Sequence, residues 1–168
     1  MSSTQNDSEL YLVGFRILSD STNPQFYTLY VGCDRPIQLQ DEPILFSQIE
    51  LAKNALEICD CGAKELGSAP SDLYAVYDIA LSLYLLCEAD EQEGSELLDC
   101  INALLDITNA TKETVPSTYR SLLHSFADHL TFNTNIDSYF TDNNIKRKEM
   151  LDAVYWCIGC ITCNTIYL

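Results

Sequence analysis

The stretch that organises this chain is SDLYAVYDIALSLYLLCEA, residues 71–89. Between residues 73 and 87 its only charged side chain is Asp78, and neither Gly nor Pro interrupts it. A helix with this composition is apolar on nearly every side, so neighbouring elements must cover it. It is too short, and too interrupted by Asp78 and three tyrosines, to span a membrane. We therefore predict a central buried helix with Ser71 or Asp72 as its N-cap.

Upstream of this stretch the pattern is typical of strands. Residues 10–18 and residues 26–31 are rich in β-branched and aromatic side chains, and the turn-forming cluster SDSTNP lies between them. Their spacing predicts an antiparallel hairpin, with a short third strand at residues 37–39. Residues 43–47 are predicted to lead into a helix that is capped by Ser47, with Glu50 as its capping-box partner.

The remainder of the chain has apolar residues at helical spacing. Further helices are predicted from Ser95, from Ser117 and from about Ile145, although the β-branched tail CITCNTIYL is also compatible with an extended end. Residues 133–144 are interpreted as a turn-rich segment anchored by Ile136, Tyr139 and Phe140. The predicted fold class is α+β, mostly α: an N-terminal antiparallel hairpin or small sheet, then a bundle of about five helices round the central one.

Length and cysteine content indicate the domain organisation and the compartment. The 168 residues are expected to form a single domain, with residues 1–8 frayed, a hairpin region at 9–40 and a helical region at 45–168. The polar start MSSTQNDSEL lacks the features of a signal peptide. The eight cysteines are therefore expected to be reduced thiols in a cytoplasmic protein.

The charge balance is strongly acidic. Nine Lys and Arg residues stand against 25 Asp and Glu residues, which gives a formal net charge of −16. The resulting potential opposes contact with nucleic acid and with anionic lipid, and it speeds the encounter with basic proteins. We therefore expect a basic protein partner, no direct nucleic acid and no membrane; high solubility alone is the competing explanation.

The acidic residues are concentrated in one region. No Lys or Arg occurs between residues 65 and 111. Acidic groups stabilise a helix N-terminus, but this region has more of them than a helix N-terminus requires. The additional like charges repel one another, so helix capping does not account for them. Asp78 is predicted to form a polar stripe with Tyr74 and Ser82 on its helix. This stripe is either a polar contact within a binding groove or the one solvent-exposed face of the helix. The predicted partner-binding residues are Asp78, Glu88, Asp90, Glu91, Glu93, Glu96 and Asp99; a solvated acidic face is the alternative.

Three cysteines near the end of the chain have the spacing of metal ligands. Cys157, Cys160 and Cys163 could supply thiolates to zinc or to an iron–sulfur cluster. No fourth cysteine is nearby, although zinc could recruit Cys59, Cys61, His124 or His129 from elsewhere. Residues three apart on a helix share a face, so the pattern equally fits small side chains in a core. We expect buried thiols with no metal, no cofactor and no disulfide.

No constellation in the sequence predicts an enzyme. Ser121, His124, Ser125, Asp128 and His129 crowd one helix, whereas a nucleophile, its base and an orienting acid need three directions of approach. Phosphate-binding Gly loops and dinucleotide fingerprints are also absent from the sequence. We expect a non-enzymatic interaction protein, most concretely a bacterial immunity protein that neutralises a cognate toxin. The alternatives are a nucleic-acid-mimicking inhibitor, a metal or redox protein using the three cysteines, and an adaptor that does not bind through charge.

Overall fold

The structure, a computed structural model, describes residues 10–32, 35–55, 73–88 and 94–168 of the chain. Within these ranges the strands are β1 (Leu10–Arg16), β2 (Phe26–Val31), β3 (Arg35–Pro36), β4 (Gln38–Leu39), β5 (Glu42–Leu45), β6 (Leu73–Asp78) and β7 (Ile166–Tyr167). The helices in the same ranges are α1 (Ile49–Lys53), α2 (Ile79–Cys87), α3 (Gly94–Ala110), α4 (Ser117–Phe132), α5 (Ile136–Asn143) and α6 (Arg147–Cys163). The fold is α+β and mostly helical, as the sequence predicts.

The larger sheet begins with the predicted hairpin. β1 and β2 are antiparallel, in a register that runs from Leu10 opposite Val31 to Phe15 opposite Phe26. The strand order is β3-β2-β1-β6, and β6 pairs with β1 in parallel. The antiparallel hairpin is therefore present as predicted, but the parallel pairing of β6, which the sequence did not predict, makes the sheet mixed.

The prediction of a single central helix is wrong, because the first described residues of that stretch, 73–78, form strand β6. Tyr74 and Val76 are exposed, whereas Ala75 and Tyr77 pack against the main core. This alternation is typical of a strand. Aromatic and β-branched residues also favour a strand when a neighbouring strand, here β1, has an edge with which they can pair. The helix begins only at Ile79. The predicted caps Ser71 and Asp72 lie outside the described residues.

Asp78 is the N-cap of the shortened helix α2. Its Oδ1 accepts a hydrogen bond from the backbone N–H of Leu81 at 2.9 Å. Ser82 is buried, and its hydroxyl donates to the Asp78 carbonyl at 2.9 Å. The predicted polar stripe of Tyr74, Asp78 and Ser82 therefore does not form, because Tyr74 belongs to the strand.

A second, smaller sheet has the order β4-β5-β7 and joins distant parts of the chain. β5 pairs in parallel with β7, with Ile44 beside Ile166. Residues 43–47 lead into helix α1, as predicted, although Ile44 and Leu45 are themselves buried strand residues. The predicted cap is wrong: the Ser47 hydroxyl donates to the Leu168 carbonyl at 3.1 Å, and Gln48 is the residue that precedes the short helix α1. The C-terminal tail is helical to Cys163 and extended beyond it.

The segment interpreted as turn-rich contains helix α5. Asn135 caps this helix by accepting a hydrogen bond from the Ser138 N–H at 2.9 Å. Asn144 ends it in the left-handed region, with φ 51°, which an asparagine tolerates better than most residues do. The three predicted anchors of the segment are all buried, namely Ile136, Tyr139 and Phe140.

The main core lies between one face of the larger sheet and the helices. α3 is at its centre, because it packs against α2, α4, α6 and the strands, and nine of its residues are buried. A second core covers the opposite face of the sheet and includes Leu12, Leu29, Ile44 and Phe46. The central role that the sequence suggests for residues 71–89 thus belongs to α3. No helix within the described ranges has both the length and the apolar character needed to cross a bilayer.

Candidate functional site

A cleft of about 330 Å³ lies where β1, β6, α2 and α3 meet. It contains three of the seven residues that the sequence predicts to bind a partner: Asp78, Glu96 and Asp99. Glu88 is exposed at the end of α2 and does not line the cleft. The other three predicted residues lie outside the described ranges, namely Asp90, Glu91 and Glu93. The remaining lining residues are Arg16, Thr22, Val76, Tyr77, Leu81 and Cys100.

An ion pair forms one wall of the cleft. Arg16 and Asp78 are opposite each other in the parallel register of β1 and β6, and the Arg16 guanidinium donates to Asp78 Oδ2. The other carboxylate oxygen of Asp78 caps α2, and only 14% of the side chain is exposed. Asp78 therefore already has two partners within the molecule. Its contact with an external partner stays a prediction.

Glu96 and Asp99 form the acidic side of the cleft. They are three residues apart on α3, so they share a face of that helix, and both are exposed. Arg16 is the one cation among the described lining residues, and it is engaged by Asp78. No described residue forms an ion pair with Glu96 or Asp99. Two carboxylates thus face the cleft without a compensating charge from its walls.

Burial and nearby negative charge raise the pKa values of groups in and around this cleft. Burial raises the pKa of Tyr77 to about 12, and the charges of Asp99 and Asp106 add to the rise. Burial likewise raises the pKa of Cys100 to about 11, with Asp99 and Glu96 adding and a hydrogen bond with Ser82 opposing. Burial also raises the pKa of Asp99 itself. A bound cation would stabilise the ionised form of Asp99, and the protonated Cys100 thiol is a poor nucleophile at neutral pH.

The three C-terminal cysteines do not converge on one site. Cys157 and Cys160 are buried, but Cys163 is exposed, so the prediction of three core thiols is wrong for Cys163. Burial raises the pKa of both Cys157 and Cys160, which disfavours thiolates. Across the described part of the chain, no three His, Cys, Asp or Glu residues are grouped so as to hold a metal ion. Cys59 and Cys61, the other two cysteines considered as zinc ligands, lie outside that part.

Polar side chains of helix α4, which contains both histidines, form hydrogen bonds with α5 and with its N-cap residue. His129 Nε2 lies 3.1 Å from the Asn135 carbonyl and 3.1 Å from Ser138 Oγ. The Tyr139 hydroxyl donates to Ser125 Oγ at 3.2 Å. His124, by contrast, is exposed. These contacts give His129 and Ser125 a structural role in the packing of two helices.

Sequence reasoning missed the pairing of Arg16 with Asp78, although a signal for it was present. Arg16 is the single charged residue in the apolar run 10–18, and Asp78 is the single charged residue in the run 73–87. Two lone charges of opposite sign in apolar elements are best accommodated when they pair, because an unpaired buried charge is costly. Tyr77 and Cys100 carry no comparable signal, since their place in the cleft follows only from the pairing of β6 with β1.

The chain matches no protein-family model, and neither the curated proteins nor the solved structures yield a significant match. No activity is therefore carried over to it from a relative. The features of the chain that bear on its function are the geometry of the cleft, the uncompensated carboxylates of Glu96 and Asp99, and the net charge of −16.

Proposed function

We propose that this chain is a non-enzymatic interaction protein that binds a basic protein partner through the cleft and through the acidic stretch of its sequence at residues 88–99, and so inhibits that partner. The observation that carries the proposal is the pair of carboxylates, Glu96 and Asp99, at a cleft whose described cation is already engaged by Asp78. Such a site is complementary to a Lys or Arg side chain of a partner.

The cleft has the features that bind a basic side chain. Its volume of about 330 Å³ has room for a lysine or arginine head group. The carboxylates of Glu96 and Asp99 would accept charge-assisted hydrogen bonds, and the Tyr77 ring offers an aromatic surface to the cation. The net charge of −16 adds long-range attraction, which mainly raises the association rate.

An immunity protein that neutralises a cognate toxin in the bacterial cytoplasm is the most concrete form of this proposal. A small acidic chain that covers a basic active surface is sufficient for that task and needs no cofactor. An inhibitor that mimics nucleic acid is a close variant, supported by the absence of Lys and Arg between residues 65 and 111. The metal or redox alternative has less support, because Cys163 is exposed while Cys157 is buried.

The proposal is tested with the double variant Glu96→Gln/Asp99→Asn. A tagged chain is first used to capture proteins from its own cells at low and at high salt, and the captured protein is identified by mass spectrometry. Association kinetics are then measured for the purified pair. We expect the double variant to associate at least tenfold more slowly than the wild type and with a flatter salt dependence.

The matched control removes two negative charges elsewhere. Glu113→Gln/Asp142→Asn changes two exposed residues that do not line the cleft. This control should keep most of the wild-type association rate. Equal rates for the two double variants would refute the assignment of the cleft, and failure to capture any basic protein would refute the function itself.

A further inference from the structure

A second cavity, of about 290 Å³, lies on the other side of α2 from the cleft. Ile79 and Leu83, four residues apart on one side of α2, line this cavity, whereas Leu81 lines the cleft. Its walls come from the larger sheet, from α2, α3 and α6, and from β7. They include Phe15, Phe26, Leu104, Ile107, Ile158 and Ile161.

The walls of this cavity offer almost no polar group. Thr162 is the one lining residue that is neither aliphatic nor aromatic, and its hydroxyl already donates to the Ile158 carbonyl at 2.8 Å. Two tyrosines, Tyr155 and Tyr167, are the other lining residues that carry a hydroxyl, and as whole residues they are 55% and 45% exposed. Water needs two to four polar partners to be stable inside a protein, so it gains little here.

The size of the cavity favours a small organic molecule. An apolar cavity of ~150 Å³ stays dry and binds benzene, so about 290 Å³ has room for roughly two ring-sized groups or a short hydrocarbon chain. Side chains around a void lose dispersion contacts, and an apolar occupant restores them. We propose that this cavity is a binding site for a neutral, apolar small molecule whose single hydroxyl or similar group remains near Tyr155 and Tyr167.

The charges of the protein favour neutral molecules over fatty-acid anions in this cavity. None of the lining residues is Lys, Arg or His, so a carboxylate would have no cation to pair with. The net charge of −16 also repels an anion on approach. A hydroxyl group, in contrast, can form a hydrogen bond with a tyrosine hydroxyl without an unpaired charge being left in the cavity.

The test compares 1-octanol with octanoate, which have chains of equal length but different charge. Binding is followed by isothermal titration calorimetry and by methyl ¹H–¹³C spectra of Leu104, Ile107 and Ile161. We expect saturable binding of 1-octanol, shifts of these methyl signals and a higher melting temperature, because a ligand that binds only the folded state stabilises it. Octanoate should bind at least tenfold more weakly.

Two variants locate the site. Ile158→Trp fills the cavity from α6 and should abolish 1-octanol binding, and Leu83→Phe fills it from α2 should the first variant fail to fold. Leu151→Trp is the matched control, since Leu151 is a partly buried residue of the same helix that does not line the cavity. Absence of saturable 1-octanol binding to the wild type, or full binding by a folded Ile158→Trp or Leu83→Phe protein, would overturn the proposal. Equal affinity for octanoate would overturn the selection of neutral molecules.

Discussion

Arg147, the first residue of α6, also contacts α2 and α5. Its guanidinium donates to the carbonyls of Leu85 at 3.2 Å and Leu86 at 2.9 Å, in the last turn of α2. It also pairs with Asp137 of α5 and lies 4.7 Å over the ring of Phe140. α2 has no basic residue in its own last turn, so Arg147 supplies the positive charge that a helix C-terminus favours. In the basic run 146–148, Arg147 pairs with Asp137 and Lys148 pairs with Asp152.

Arg147→Met should lower the free energy of unfolding by about 2 kcal/mol, because charged hydrogen bonds to two backbone carbonyls are lost. The ion pair itself adds little, since the Asp137 side chain is 47% exposed. Urea denaturation measures the change, and Lys146→Met, at the exposed neighbouring position, is the control and should stay within about 0.5 kcal/mol of the wild type. A loss no larger than that of the control would show that Arg147 does not hold α2.

At the scale of the elements, two glycines have opposite roles. Gly14 lies in the middle of β1, and a Cβ placed there would be 2.7 Å from Pro24 Cγ and 2.8 Å from Pro24 Cβ. Gly159 lies inside α6, where a Cβ would meet no atom within 4 Å. The strand therefore needs its glycine to admit the loop between β1 and β2, whereas the helix does not.

The two substitutions to alanine should therefore change stability in opposite directions. Gly14→Ala should destabilise the protein by about 1–3 kcal/mol, because strand or loop must shift to relieve the overlap. Gly159→Ala should stabilise it by about 0.5–1 kcal/mol, since alanine has the better helix propensity. Thermal unfolding of both variants checks the pair. Equal effects of the two substitutions would contradict this account of β1.

The elements show where sequence reasoning succeeds and where it fails. The hairpin of β1 and β2 is predictable because its strands are close in sequence and the turn residues between them are distinctive. β6 is not, because its apolar run suits a helix as well as a strand, and its partner β1 is far away along the chain. At the cleft, Glu96 and Asp99 can be predicted as binding residues from the charge pattern of the sequence alone. The places of Arg16 and Tyr77 in the cleft can be predicted only once the parallel pairing of β6 with β1 is known.

At the scale of the whole molecule, the acidic excess is not balanced by internal pairing. Arg16, Lys53, Lys112, Arg147 and Lys148 each have an acidic partner within the chain, and the formal net charge is still −16. Most of the negative charge therefore repels other negative charge. The same field that attracts a basic partner lowers the stability of the folded chain.

Salt should consequently act in opposite directions on stability and on binding. Raising the ionic strength from about 0.01 M to about 0.15 M shortens the Debye length from ~30 Å to ~8 Å. We expect the melting temperature of the free protein to rise and its association rate with the captured partner to fall. NaCl and KCl should act alike if screening is the cause. A melting temperature that falls with salt would contradict the repulsion that we infer.

The parallel pairing of β5 with β7 has a consequence for synthesis. Ile44 and Ile166 are neighbours in the small sheet but are separated by roughly 120 positions in the chain. At ~5–20 residues per second, a ribosome needs roughly 6–24 s to make the second strand after the first. Until then the edge of β5, with its apolar Ile44 and Leu45, lacks its partner. During this interval the nascent chain is open to strand-to-strand aggregation at β5, and a chaperone that shields that edge would prevent it.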